Sequence, residues 1–141
     1  MRPRDEVIRG LVARWMEKAE QDLAVARHLF SEDSPYLAAV GFHSQQAAEK
    51  FLKALLVRHQ IEFPKTHDLD ELLDLVARAD VPLAEALREV VALTPYGVDT
   101  RYPGDSPEIT APDAKHAIDL AASTREAVRS SLRDYIADSH A

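Results

Sequence analysis

Cysteine is absent from this chain of 141 residues, and glycine and aromatic residues are scarce. Without cysteine there are no disulfides and no thiolate metal sites, which suits a reducing compartment. The four glycines are not clustered, so phosphate-binding loops and glycine-rich dinucleotide motifs are excluded. An aromatic content of 6%, with abundant Ala and Leu, favours closely packed helices over a β-sandwich.

Long apolar runs are also missing from the chain. No stretch reaches the roughly 18 consecutive apolar residues that a membrane-spanning helix needs. The N-terminal sequence MRPRDEVIRGLV is basic but lacks the apolar core of a secretory signal. We therefore expect a soluble, cytoplasmic protein. The length predicts a single domain over residues 1–141, with its core in about 4–137.

Metal and cofactor motifs are not found either. The six histidines are scattered, and no Glu is followed three residues later by His, as a di-iron bundle requires. We expect no metal and no cofactor. The net charge of −7 argues against a general nucleic-acid coat protein.

Helical periodicity runs through the whole chain. Apolar residues recur every three or four positions, which predicts an all-α fold, an antiparallel up-and-down four-helix bundle. We expect helices at about 4–30, 35–60 and 111–137, with a third helix from Asp68 that is split near Pro82. Ser34 is expected to cap the second helix, with Pro35 in its first turn. Asp68 with Glu71 and Thr110 with Asp113 match capping boxes for the third and last helices, and Thr66 is an alternative cap for the third. The predicted buried stripe of the first helix is Ile8, Leu11, Trp15, Ala19, Leu23, Ala26 and Phe30, and that of the last helix is Ala114, Ala117, Ala121, Val128, Leu132 and Tyr135.

The second helix carries an unusual polar stripe beside its apolar one. His43, Gln46, Lys50 and Lys53 are three or four residues apart and so share one helical face. Two interpretations remain open. In the first, His43, Gln45 and Gln46 bond to neighbouring helices or to a second subunit and the two lysines are solvated. In the second, the stripe forms a basic, hydrogen-bonding surface for a phosphate-bearing ligand or a protein partner. Because Lys and Glu have similar helix propensities, the fold is expected to tolerate Glu at Lys50 and Lys53.

Two segments carry a resemblance to a known family. FHSQQAAEKFLKALL at 42–56, followed by KTHDLDELL at 65–73, resembles the HEPN domain, the higher eukaryotes and prokaryotes nucleotide-binding domain. The resemblance implies a helical bundle that forms a homodimer. It also implies a binding module for a separately encoded minimal nucleotidyltransferase in a toxin–antitoxin-like pair, with nucleotide or RNA as a further ligand. A homodimeric scaffold without a ligand is an alternative.

Ribonuclease activity is the other alternative that the resemblance raises. Many HEPN proteins are metal-independent ribonucleases that share a motif near the start of the last helix. In this motif an Arg is followed, after four to six residues, by a His. This chain has only Lys115 and His116 there, and its literal match, Arg133 and His140, lies in the final residues. We interpret that match as coincidence, so the sequence leans against an enzyme.

A proline- and glycine-containing segment at 94–110 precedes the last helix. A connection of this length is usually functional or disordered. Within it, Arg101 offers a fork for phosphate and Tyr102 a ring for stacking on a base, although packing and a surface ion pair explain them equally. His67, in the KTHDLDELL segment, is interpreted as a helix-entry hydrogen-bond partner or as a base. Arg101, Tyr102 and His67 complete the predicted binding residues.

Overall fold

Helices make up the regular secondary structure throughout the computed structural model, which describes residues 3–97 and 108–138 (for 137 and 138, the backbone alone). The α-helices, in chain order, are α1 Pro3–Leu29, α2 Leu37–Arg58, α3 Leu69–Val76, α4 Val81–Ala86 and α5 Ala111–Asp138. A 3₁₀ helix, Arg88–Gly97, lies between α4 and α5. The predicted all-α class is confirmed. The expected second half of the third helix is instead α4 followed by the 3₁₀ helix.

Side-chain caps explain where three of these helices begin. Asp68 accepts from the Asp70 amide at 3.0 Å and caps α3, and Asp80 accepts from the Leu83 amide at 3.0 Å and caps α4. Thr110 and Asp113 bond each other's amides at 3.2 Å in the capping box predicted for α5.

The start of α2 differs from the prediction. Ser34 does not cap this helix, because Tyr36 occupies the N-cap position without a side-chain bond. Ser34 instead accepts from the Tyr36 amide at 3.0 Å and donates to the Leu29 carbonyl at 2.8 Å. The serine therefore closes the turn between α1 and α2, and Pro35 lies in that turn rather than in the helix.

α2 lies at the centre of the molecule, in contact with α1, α3, the 3₁₀ helix and α5. Thirteen of its 22 residues are buried, so few of them face solvent. Arg4 of α1 bonds Gln60, just beyond the end of α2, while Asp22 bonds His43 near its start, so the two helices run antiparallel.

α5 runs antiparallel to α1 as well. Contacts between the two helices join Arg9 to Tyr135 and Glu20 to Arg125. The residues predicted to be buried in α5 are buried, apart from the half-buried Tyr135. In α1, Ala19, Leu23 and Ala26 are buried as predicted, and Ile8, Trp15 and Phe30 are half-buried. The prediction is wrong at Leu11, which is 40% exposed while Val12 is buried in its place.

None of the helices over the described ranges 3–97 and 108–138 is long and apolar enough to cross a membrane.

Candidate functional site

α2 carries three polar side chains into the interior at successive turns. Gln45, Glu49 and Lys53 are four residues apart, so they lie on one face of the helix, and all three are buried. Removing charges from water costs free energy that a buried ion pair rarely recovers in full. Such a group usually persists because it specifies a structure or serves a function rather than because it adds stability.

Glu49 is the hub of this group. Its Oε2 accepts from the Lys53 ammonium at 2.9 Å, and its Oε1 accepts from the Gln45 amide at 3.1 Å and from His67 Nδ1 at 2.7 Å. The Gln45 amide also donates to the His67 carbonyl at 3.1 Å, and its oxygen accepts from Gln46 at 2.7 Å. We call Gln45, Gln46, Glu49, Lys53 and His67 the Glu49 network.

Lys53 is enclosed by aromatic rings as well as by Glu49. Its ammonium nitrogen lies 5.6 Å from the ring centres of Trp15 and Phe63, which themselves pack edge to face. Rings attract a cation through their negative faces. The charge of Lys53 is therefore held inside the bundle by a carboxylate and two rings.

His67 is the part of the Glu49 network that reaches solvent. Its side chain is 67% exposed, whereas the side chain of Glu49 is only 4% exposed. Because a carboxylate only accepts hydrogen bonds, Nδ1 carries the proton and neutral His67 has its acceptor at Nε2. The bond to the buried Glu49 therefore sets the tautomer and orientation of this surface imidazole, and Nε2 can accept a hydrogen bond or a proton.

The turn before α3 holds His67 in place. Thr66 Oγ1 accepts from the Asp68 amide at 3.1 Å and donates to Glu71 at 3.0 Å. The predicted capping box between Asp68 and Glu71 is wrong, since Glu71 bonds Thr66 instead. These bonds, with the Gln45 bond to the His67 carbonyl, fix the backbone on both sides of the imidazole.

A second polar cluster joins α1 to α2. Asp22 of α1 accepts from His43 Nδ1 at 2.9 Å and from the ammonium of Lys50. All three side chains are half-buried, with exposed fractions of 13% for Asp22, 29% for His43 and 22% for Lys50. We call this the Asp22 clamp, because it holds α1 and α2 together.

The predicted stripe of His43, Gln46, Lys50 and Lys53 is thus not one exposed basic surface. Lys53 is interior, and His43 and Lys50 are bonded to Asp22, so most of the positive charge is already compensated. The structure divides the stripe between the Asp22 clamp and the Glu49 network. Binding of a ligand or partner by these residues stays a prediction.

Sequence reasoning missed Glu49 and Asp22, whereas it named Gln45 as a side chain that bonds to a neighbouring element. Glu49 and Lys53 stand at i and i+4, the spacing of a helical ion pair, which is the signal that points to their pairing. Burial of that pair has no such signal, because an exposed pair has the same spacing. Asp22 comes from another helix, so only the tertiary structure pairs it with α2.

Gly97 and Ile109, the described residues near the two ends of the segment before α5, both lie close to α2. A Cβ atom built on Gly97 would lie 2.7 Å from the amide carbon of Gln45, and one on Gly41 would lie 3.0 Å from Ile109 and 3.1 Å from the Tyr96 ring. Burial, with a smaller contribution from Asp113, raises the pKa of the Tyr96 hydroxyl. The predicted residues Arg101 and Tyr102 lie outside the described residues.

The C-terminal pair is only partly described. Arg133 is exposed on α5, two residues from Tyr135, whose ring contacts Arg58 at the end of α2. His67 is instead bonded to Glu49, near the middle of α2. His140 lies outside the described residues.

Comparisons with known proteins agree with this architecture. A family model described as the HEPN domain matches residues 12–131. The crystal structure of TT1696 from Thermus thermophilus is 32% identical to this chain and has a TM-score of 0.64, with 84% of this chain and 96% of that chain covered. No curated protein matches.

Proposed function

This chain belongs to the HEPN domain family, and we propose that it acts as a binding module for a separately encoded minimal nucleotidyltransferase, as in a toxin–antitoxin-like pair. The accessible edge of the polar clusters would contact the partner: His67 Nε2 would accept a hydrogen bond from it, and Lys50 would donate to a phosphate group that the partner presents. His67 is the central contact, and His43, Gln46 and Lys50 flank it along α2. Nucleotide or RNA is a further ligand in this proposal.

The observation that carries the proposal is the buried support beneath His67. Glu49 is 4% exposed and is held by Lys53 and Gln45, and it orients an imidazole that is 67% exposed. A side chain held in one orientation loses less entropy on binding. Burying a charged pair beneath one surface histidine is costly, and a recognition role accounts for that cost better than stability does.

Lys53 has an indirect role in this proposal. It is too deep to meet a partner, but its ion pair keeps Glu49 in place beneath His67. Arg101 and Tyr102 remain predicted contacts from the segment that begins after Gly97. Their contribution is a separate test from that of His67.

Assembly and location complete the proposal. The domain would be an up-and-down four-helix bundle in which α3, α4 and the 3₁₀ helix together take the place of the third helix. It would form a homodimer in the cytoplasm, which the absence of cysteine suits. Because α2 is covered by its neighbours, α5 is the better choice for the dimer contact.

The first prediction is that His67→Ala weakens binding of the nucleotidyltransferase by about tenfold or more, the value expected for one oriented hydrogen bond to a charged group. Isothermal titration of the purified partner measures it. Sedimentation of the same samples reads the mass of the free protein, which is expected to be twice the 15.7 kDa of one chain.

The matched control is His28→Ala, which removes an exposed imidazole of α1 at a distance from the network in sequence and structure. It should leave the affinity unchanged, and melting curves show whether both variants remain folded. Equal affinities for wild type and His67→Ala would reject His67 as the contact. A lack of any complex would reject the partner.

A metal-independent ribonuclease is the second candidate, and the bond from His67 to Glu49 is the observation that favours it. A histidine whose Nδ1 donates to a carboxylate presents Nε2 as a base, which could take the proton of a ribose 2′-hydroxyl. The 2′ oxygen would then attack the adjacent phosphorus and form a 2′,3′-cyclic phosphate, while the bond to the 5′ oxygen breaks and that oxygen takes a proton from water. The network would serve this role without the usual arginine–histidine motif.

The second prediction separates this candidate from the C-terminal match. If the protein cleaves single-stranded RNA, His67→Ala should lower the rate by about 100-fold or more, as loss of a general base does, and Arg133→Ala should not. Gel electrophoresis of a labelled RNA reads both. Loss of cleavage in Arg133→Ala alone would assign the activity to Arg133 and His140, and absence of cleavage in the wild type would reject the candidate.

A further inference from the structure

A cavity lies between α1 and α5, and none of its lining residues belongs to the Glu49 network. Its volume is about 400 Å³, within the range of small-molecule sites. One wall is apolar and is formed by Val12, Ala13 and Met16. The polar lining consists of Arg9, Glu17, Glu20, Arg129 and Tyr135.

Tyr135, at one end of this cavity, is contacted by two guanidinium groups. The central carbons of Arg9 and Arg58 each lie 4.2 Å from the centre of its ring. Arg9 also donates from Nη1 to the main-chain oxygen of Tyr135. We call Arg9, Arg58 and Tyr135 the Tyr135 stack. Cation–π contacts and this hydrogen bond hold the guanidinium of Arg9 in a fixed orientation.

The positive charge of the stack is not compensated within the described part of the chain. No described carboxylate forms an ion pair with Arg9, Arg58 or Arg129. In addition, Nε of Arg9 is buried and has no hydrogen-bond partner among the described residues. A buried donor without an acceptor costs free energy, so a small shift of the guanidinium that brings Nε to an acceptor in the cavity would be favourable.

We propose that the cavity between α1 and α5 binds a small organic monoanion with an apolar body, such as an aliphatic carboxylate. Its carboxylate would accept from Arg9, whose planar fork matches two carboxylate oxygens. Its hydrocarbon would cover Val12, Ala13 and Met16. Because Arg58 stacks on the same ring, a second guanidinium without an ion pair lies at this end and would also stabilise the anion.

The lining also disfavours anions that carry more than one negative charge. Glu17 and Glu20 lie along the same cavity, and Glu20 is bonded to Arg125. These carboxylates oppose a second negative charge on the ligand, so RNA and nucleoside di- and triphosphates are disfavoured. The site goes beyond the proposed partner-binding function, since none of its residues belongs to the Glu49 network.

The third prediction is that hexanoate binds in this cavity, and the methyl resonance of Met16 measures it at the site. The chain has two methionines, Met1 and Met16, and Met16 lines the cavity. With isotope-labelled methionine methyl groups, titration of hexanoate should shift the Met16 resonance saturably, with a dissociation constant on the order of 1 mM or tighter. Acetate lacks the hydrocarbon chain and hexanol lacks the carboxylate, so each should bind at least about tenfold more weakly than hexanoate.

Variants of the lining decide the assignment. Arg9→Gln should weaken hexanoate about tenfold, and Ala13→Phe, on an exposed helical position, should fill the cavity and abolish the shift. Arg14→Gln, the neighbouring exposed arginine, should bind as the wild type does. No saturable shift in the wild type, an unchanged affinity in either lining variant, or tighter binding of adenosine monophosphate than of hexanoate would overturn the proposal.

Discussion

Lys53→Glu should destabilise the protein by about 3–5 kcal/mol, the cost of leaving a buried charge without its partner. The substitution removes the cation that Glu49 accepts from and adds a second carboxylate one turn away in the interior. The Trp15 and Phe63 rings, which attract an ammonium group, would face an anion instead. Since small domains are stable by only about 5–15 kcal/mol, this loss is a large fraction of the total stability.

Urea unfolding followed by circular dichroism measures this fourth prediction. Lys18→Glu is the matched control, because Lys18 is exposed on α1 and forms no ion pair among the described residues. That control should change stability by no more than about 0.5 kcal/mol. The double variant Glu49→Gln with Lys53→Met should recover much of the lost stability, because it leaves no unpaired charge. Similar stabilities for Lys53→Glu and Lys18→Glu would contradict the buried position of the pair.

Gly97→Ala is expected to cost about 1–3 kcal/mol, the usual range for overpacking a filled interior. The added Cβ would lie 2.7–2.9 Å from the three terminal atoms of Gln45, closer than such contacts occur. Gln45 is flexible in principle, but it is buried and bonded to Glu49, Gln46 and the His67 carbonyl. Moving it therefore breaks bonds of the Glu49 network, including one that fixes the backbone at His67.

Gly10→Ala is the control for this fifth prediction. Gly10 lies within α1, and nothing lies within 4 Å of a Cβ added there. Alanine should stabilise this helix by about 0.5–1 kcal/mol because glycine loses more backbone entropy on folding. Thermal melts of the two variants should move in opposite directions. Equal or higher stability for Gly97→Ala would show that Gln45 can leave its position at no cost.

The same changes show how far sequence and tertiary structure disagree. Lys and Glu have nearly equal helix propensities, so the sequence predicts that Lys53→Glu is tolerated. The structure reverses that expectation through burial, a property that depends on which elements cover α2. Local propensity describes a residue within its own helix, whereas the cost of a charge depends on its surroundings.

What the sequence determined by itself is local. Periodicity of three or four residues predicted the all-α class and the three long helices. The cap at Asp68 and the Thr110–Asp113 box marked the starts of α3 and α5, because both signals arise within a few neighbouring residues. The segments 42–56 and 65–73 also carried the family resemblance, which the match over residues 12–131 confirmed. The buried alanines of α5 followed from the same spacing.

What only the tertiary structure decided is which polar groups meet. Glu49 and His67 are 18 residues apart, and Asp22 and His43 are 21 apart, so no helical period relates them. Arg9 and Tyr135 are separated by 126 residues and meet because α1 and α5 run antiparallel. Charge compensation and cavity formation depend on the approach of distant segments, so the sequence named His67 and Lys53 without their partner Glu49, and it gave no sign of the Tyr135 stack.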